Sequence, residues 1–397
     1  LKGGKMKVVA LGGAGHIGAC GVRELTKRAP DIEVVIADKN VEAANKLATE
    51  VGGKTSVKMV DASEHKSLVD VMKGADVVLS TLGPFHVFGE KVVKAAIETK
   101  TNLVDICDDW DATQSCLNLN SEARKAGVTI IIGLGATPGI TNVMARYGAN
   151  KLDRVDEVHT SWAWSGVDPT QGPAIVDHYF HAVTGKVLTY QDSKWVEIKA
   201  NSGPEIIEFV PPIGRFEVCH VGHPEPITIP RYIKGVKMVC NKGGIWPDML
   251  AEAAKFFVTA GLSSLKEVTI GGISMSARSI VTSLFLDMAE LAAPEDIEAI
   301  LKEVAPYGEF GLTGVVLRTA VKGERQGKPM RYVYGCGAAA DLITSLPAVL
   351  GVLMFPQGQI KGKGVFAPEG IVDPKIFFQE LIKDIPVEET KAEPISL

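Results

Sequence analysis

The stretch Lys7-Val-Val-Ala-Leu-Gly-Gly-Ala-Gly-His-Ile-Gly18 decides how the chain is read. Val8 to Leu11 is an apolar run of buried-strand length that turns through Gly13-Ala14-Gly15 into a helix opening near His16. Glycines 13, 15 and 18 have the G-x-G-x-x-G spacing. In that pattern the first glycine permits the tight turn, the second lets a pyrophosphate approach the backbone, and the third lets helix and strand pack closely. Gly13, Ala14, Gly15, His16, Ile17 and Gly18 therefore form the predicted phosphate cradle, with the positive end of the helix dipole behind it. In a chain with 41 glycines the spacing carries weight only through its context, which a second run supplies. Glu33-Val-Val-Ile-Ala37 ends in Asp38, about 20 residues after Gly18, where an acid holds the ribose hydroxyls of a dinucleotide.

Asp38 also bears on which dinucleotide binds. A carboxylate roughly 4 Å from a 2′-phosphate is repelled by about 4 kcal/mol at an effective dielectric of about 20. The expectation is NAD in preference to NADP, with Lys39 the neighbouring charge that would answer a phosphate.

Moving outward, a helix is predicted over 41–51, then a third strand over 56–60 that delivers Asp61 to the same edge. Asp61 is read either as lying near the adenine or as opening the next helix. The fourth strand, 75–80, runs into Thr81 and Gly83, which should sit beside the middle of the dinucleotide, and then into His86. The fifth, 102–106, ends in Cys107-Asp108-Asp109, and the sixth, 128–132, in Gly133-Leu-Gly-Ala-Thr-Pro-Gly139. Strands alternating with helices predict a Rossmann-type, doubly wound parallel sheet.

Beyond residue 140 the texture changes to β-rich runs broken by Gly and Pro: 157–164, 194–198, 215–220, 227–229 and 236–240. Residues 311–322 and 329–334 read as a hairpin joined through 323–328. This is a second α+β domain on a mixed or antiparallel sheet. The expected division is a dinucleotide domain over 1–139, completed by the segment 338–397, and a substrate and dimerisation domain over 140–337. Asp373, followed by proline, should cap a helix over 374–383.

Bulk properties exclude several classes. A chain of 397 residues suits two domains, and a net charge of −5 provides no general basic surface for nucleic acid. No apolar run reaches the ~18 residues of a membrane span. Leu1 to Lys5 read as a short leader ahead of Met6 and not as a secretion signal. Six scattered cysteines without C-x-x-C or zinc spacing suit free thiols in the cytoplasm.

On Leu11 to Gly18, Asn102 to Asp109, Ala126 to Ile140 and Lys363 to Gly370, the chain resembles the saccharopine dehydrogenase family, which includes saccharopine reductases and lysine 6-dehydrogenases. The resemblance implies the two-domain fold and an oxidoreductase acting on the CH–NH group of an amino acid or an amine derived from one, through an imine. Asp38 stands where the reductases carry a basic residue, and Ser161 to Pro169 does not reproduce the family's substrate loop.

Such chemistry requires a proton-transfer group beside the nicotinamide, and a histidine suits neutral pH. Of eight histidines, His86 is the candidate placed just past the fourth strand. Asp108 and Asp109 are read either as holding a substrate ammonium or relaying a proton, or as one of them capping the next helix. Asp105 is expected to bond neighbouring backbone, and Thr137 and Pro138 to shape the nicotinamide side. His178 and His181, on one face of a helix within 172–183, should line the substrate pocket, with no third ligand for a metal. Arg231, Lys242 and more weakly Arg215 are candidates for a substrate carboxylate. The alternatives are a polyamine-pathway dehydrogenase of the carboxynorspermidine or homospermidine type and a non-catalytic nucleotide sensor. The expected partners are a small-molecule amine and a second copy of the chain.

Overall fold

The first sheet is laid down by apolar runs buried on both faces, the pattern of parallel strands covered by helices. The computed structural model describes residues 6–394, so Leu1 to Lys5 lie outside the described residues. The chain forms two compact units. The first runs to Lys151 and adds Arg231–Ile233 and Asp341–Pro386; the second holds Leu152–Pro230, Lys234–Ala340 and the chain from Val387. Relative to the expected division, the helix after residue 139 stays with the first unit and the last strand joins the second. No helix among the described residues is long and apolar enough to cross a membrane.

In the first unit β1 (Lys7–Leu11), α1 (His16–Arg28), β2 (Glu33–Asp38), α2 (Val41–Val51), β3 (Thr55–Met59), α3 (His65–Met72), β4 (Val77–Ser80), α4 (Phe85–Glu98) and β5 (Asn102–Asp105) follow in strict alternation. Two short helices, α5 (Trp110–Asn118) and α6 (Asn120–Ala126), lead to β6 (Thr129–Ile131), and α7 (Ile140–Ala149) closes the run. All strand pairs are parallel, in the order β6-β5-β4-β1-β2-β3, and a late strand, Gly364–Phe366, adds beside β6. The direction of the order reverses between β1 and β4, and ligands bind at such a switch point. Leu11, Ile36, Leu79, Leu103 and Ile130 are fully buried, each worth about 1.5–3 kcal/mol relative to exposure. Asn40 caps α2 by accepting from Ala43 N at 3.0 Å. Asp373 caps the helix Pro374–Leu381 as expected, accepting from Lys375 N at 2.8 Å and Ile376 N at 3.2 Å.

The second unit is a nine-stranded mixed sheet. Its elements in order are β7 (Arg154–Ser165), α8 (Pro173–Ala182), β8 (Lys186–Gln191), β9 (Lys194–Lys199), β10 (Glu205–Glu208), β11 (Arg215–His220), α9 (Glu225–Tyr232, whose last residues belong to the first unit), and β12 (Met238–Trp246). A small separate hairpin, β13 (Glu267–Ile270) and β14 (Ile273–Ser276), precedes β15 (Gly314–Arg325) and β16 (Lys328–Ala339). β7 pairs parallel with β12 and antiparallel with β15, while Glu388–Pro394 adds to β16.

Two expectations are corrected here. Residues 227–229 are helical, because Pro226 fixes the first turn of α9 and burial of Ile227, Thr228 and Ile229 outweighs their β-branched preference. The predicted six-residue hairpin connection shrinks to two residues. Gln326 and Gly327 both take left-handed angles (φ 52° and 73°), the I′ turn that matches strand twist.

Candidate functional site

The glycine loop is built by close approaches that exclude side chains. Gly12 takes the left-handed conformation (φ 69°), and its N–H donates to Ala37 O at 2.9 Å. The turn predicted for Gly13 therefore falls one residue earlier, at a glycine the spacing did not select. Gly13 is a packing position, where a Cβ would lie 2.8 Å from Ala10 O. A Cβ at Gly18 would overlap Gly12 O and lie 2.7 Å from Thr81 Oγ1. Thr81 Oγ1 lies 3.2 Å from both Leu11 O and Gly12 O, so it stitches the end of β4 to the loop. Gly15, by contrast, meets nothing nearer than 3.4 Å. It caps α1 without a side-chain hydrogen bond, and the first turn, opening with His16 and Ile17, holds no acid. An uncapped helix start behind an open glycine is the arrangement that receives an anion, so the residues present fit a dinucleotide diphosphate.

Asp38, at the end of β2, turns back toward this loop. Its Oδ2 accepts from Ala14 N at 3.0 Å and its Oδ1 from Asn40 N at 2.9 Å. Lys39 beside it is exposed. Asp61 accepts from both Ser63 N (2.9 Å) and Ser63 Oγ (2.6 Å), shaping the turn into α3. These Ser63 bonds hold its carboxyl below the usual range, and Lys39 adds to the effect.

Past β4, Thr81 and Gly83 lead into α4, whose first turn carries His86. Asp109 occupies the N-cap position of α5, yet its carboxylate makes no capping bond there. It is fully buried and accepts from His86 N at 2.7 Å, with His86 Nδ1 3.1 Å away. A buried carboxylate against Nδ1–H assigns the tautomer and leaves Nε2 as the basic nitrogen of the neutral ring. Asp108, half-buried, is its sequence neighbour.

Asp105 behaves as expected of a strand carboxylate: Oδ1 accepts from Cys107 N (2.9 Å) and Gly133 N (2.8 Å), tying β5 to the loop after β6. Burial pushes its carboxyl up to about 7 against those two bonds. In that loop Gly133 is left-handed (φ 71°), and a Cβ there would sit 2.7 Å from Pro138 Cγ. Thr137 and Pro138 lie on its return, where Pro138 O accepts from Gly135 N at 3.0 Å. Two residues not singled out in the sequence, Asn142 and Arg146, hold this loop together with Glu369. Asn142 accepts from Gly139 N (3.0 Å) and donates to Glu369 Oε2 (2.9 Å), and Arg146 donates to Glu369 O (2.8 Å) and Tyr232 O (2.7 Å). The only signal for Asn142 and Arg146 was their place on a helix opening at a loop glycine.

In the second unit, β7 sorts the candidates by alternation. Trp162 and Trp164 look to one face. Trp162 Nε1 donates to Asn241 Oδ1 at 3.0 Å, and its ring lies 5.5 Å from that of His223. His178 meets His223 edge-on at 5.4 Å, and buried Glu225 holds His223 Nδ1 at 3.1 Å. His181 Nδ1 accepts from Arg278 Nη1 at 3.1 Å. His223 and Glu225, which sequence reasoning missed, thus complete the histidine group. Lys242 does not join it: it pairs with Ser161 on the opposite face and donates to Glu205 Oε2 and Gly203 O, both at 2.8 Å. Arg231 lies in the short segment that belongs to the first unit, and Arg215 is exposed at the start of β11.

The reversed parallel sheet with an uncapped glycine loop defines a Rossmann-type dinucleotide-binding protein carrying a second, mixed-sheet domain. Residues 8–131 match the family model described as the saccharopine dehydrogenase NADP binding domain, and residues 135–385 match that of the saccharopine dehydrogenase C-terminal domain. The chain belongs to the saccharopine dehydrogenase family, a family of oxidoreductases. It is 22% identical over 405 residues to carboxyaminopropylagmatine dehydrogenase of Synechocystis sp., covering 95% of both chains. It is also 22% identical to carboxynorspermidine synthase of Vibrio alginolyticus, covering 88% of each. The apo saccharopine dehydrogenase (L-Glu forming) of Saccharomyces cerevisiae shares the fold, with a TM-score of 0.66 at 19% identity, covering 98% of this chain and 99% of that one.

The NAD preference read from Asp38 is overturned, since the model matched by the first domain describes NADP binding. The structure accounts for the error: the charge-repulsion argument needs a carboxylate turned toward the ribose, and both Asp38 oxygens are bonded to backbone amides.

Proposed function

We propose that this chain is an NADP-dependent oxidoreductase acting on the CH–NH group of a secondary amine that carries an amino-acid carboxylate. The nicotinamide, when bound, donates or accepts the hydride. The glycine loop holds the diphosphate and Lys39 answers the 2′-phosphate. His86 Nε2 takes the amine proton in the oxidative direction and returns it in the reductive one, while Asp109 fixes the ring and stabilises its charged form. Asp108 attracts the substrate ammonium. One observation carries this reading: a buried carboxylate orients a histidine just beyond β4, at the same sheet edge as the glycine loop.

Two substrate forms compete. Saccharopine or lysine is supported by the family itself, and a carboxylated polyamine by relatives that align along nearly the whole chain. The test follows absorbance of reduced nicotinamide with NADPH or NADP against saccharopine, lysine and carboxylated polyamines. Turnover with one of these identifies the substrate, and dinucleotide binding with no turnover of any amine would sink the enzymatic reading in favour of a nucleotide sensor. The proposal extends to a homodimer in the cytoplasm, the latter supported by six free, buried cysteines.

A further inference from the structure

Glu157, His159 and Ser161 alternate along one face of β7, the face away from Trp162. Cys240 on β12 and Ala320 on β15 are both in register with His159, so the imidazole stands between a thiol and a methyl group. His159 Nδ1 lies 3.1 Å from Cys240 Sγ, and its Nε2 lies 2.8 Å from Glu157 Oε2. Lys322 donates to the same carboxylate oxygen at 2.8 Å, a charge-assisted bond that fixes its position. A carboxylate only accepts, so Nε2 carries the ring proton and Nδ1 is left to accept from the thiol. A cysteine is thus joined to a histidine that a third group orients, the arrangement that activates a nucleophile.

Both members of the pair are neutral at rest. Burial pushes the thiol up to about 12 and the imidazole below its usual range, so the proton sits on sulfur while Nδ1 keeps its lone pair. Sulfur becomes a nucleophile only as its proton passes to His159 during reaction, which is general-base activation and not a standing thiolate. Cys240 and His159 line a cavity of about 110 Å³, with room for a few water-sized molecules. The charged groups that face the pair are Glu157 on β7, Lys242 on β12, Glu205 on β10, Arg318 and Lys322 on β15, and Arg331 on β16.

We propose that Cys240 is a peroxide-reactive thiol, with His159 as its general base, Glu157 as the positioning residue and hydrogen peroxide as its small two-electron oxidant. The S–H proton passes to His159 Nδ1 as sulfur attacks one peroxide oxygen. The S–O bond forms and the O–O bond breaks, and the leaving oxygen takes the proton from Nδ1 and departs as water. Sulfur is oxidised by two electrons to a sulfenic acid, and the peroxide is reduced by two. The site is separate from the dinucleotide loop, which lies in the other unit, and from the Trp162 and His223 group, which lies on the opposite face of its own sheet.

The test exposes the full-length protein to hydrogen peroxide, with dimedone present to trap sulfenic acid, and follows each cysteine by mass spectrometry between about pH 7 and pH 9. Cys219 is the internal reference: at 9% exposed it is more open than Cys240 at 6%, and its thiol has no histidine partner among the described residues. Cys240 is expected to label about tenfold or more faster than Cys219 at neutral pH. Its rate should stay level over this range, because neutral His159 supplies the base, whereas the Cys219 rate climbs about tenfold per pH unit with its thiolate fraction. Glu157→Gln should slow Cys240 about tenfold and leave Cys219 unchanged, which also reports an intact fold. Cys240 labelling no faster than Cys219, a Cys240 rate that climbs with pH alongside it, or an unchanged Cys240 rate in Glu157→Gln would overturn the proposal. The first two outcomes are read on the parent protein and need no variant to fold.

Discussion

Replacing Asp105 by Asn should make the first domain more stable at pH 8 and leave it unchanged near pH 4. Asp105 is wholly buried at the end of β5, and burial raises its carboxyl from an ordinary 3.8 to about 7. Between those values the folded state holds a proton that the unfolded chain has released. The unfolding free energy therefore falls as pH rises through this window and levels off above about 7. A gap of about three pH units at about 1.36 kcal/mol each sets a ceiling of roughly 4 kcal/mol on the loss. Asn keeps an acceptor for the amides of Cys107 and Gly133 while removing the charge, so the variant should gain roughly 2–4 kcal/mol at pH 8 and little at pH 4. Urea unfolding of both proteins across this range gives the difference directly. Amide exchange at Cys107 and Gly133 localises it. A variant destabilised equally at both pH values would refute the reasoning, because Asp105 would then act through hydrogen-bond geometry and not through its buried charge.

Other outcomes follow from the loop and the histidine. Gly18→Ala should cost about 1–3 kcal/mol and abolish dinucleotide binding, since its Cβ overlaps Gly12 O; Gly15→Ala should fold normally and lose only affinity, as melting curves and calorimetry would report. His86→Asn should lower kcat by about 10²- to 10⁴-fold with little change in dinucleotide Kd, and equal losses in both would assign His86 to binding alone. Lys39→Gln should weaken NADPH about tenfold and leave NADH unchanged, read from competition binding; parallel losses for both would remove Lys39 from 2′-phosphate recognition.

The first domain was legible because buried parallel strands appear as unbroken apolar runs and because glycine spacing records close approach directly. Asp109 shows where that legibility ends. Its position before a helix matched a capping role, and only the path of its side chain, 3.1 Å from His86 Nδ1, makes it a partner of the catalytic candidate. Asp38 shows the same limit with the opposite result, since its place in the sequence was informative and its orientation was not.

In the second domain one bit of information was missing, the face on which β7 presents each side chain. Alternation along 159–164 already separates His159 and Ser161 from Trp162 and Trp164, but cannot say which set meets His178. The parallel register with β12 decides it, placing Gly243 under the Trp162 ring, where any side chain would collide, and Lys242 beside Ser161. Lys242, read from the sequence as a candidate for a substrate carboxylate, therefore lies on the face opposite the histidine group. The same register puts it in one cross-strand row with Ser161 and Arg318, where it pairs with Glu205 at 2.8 Å.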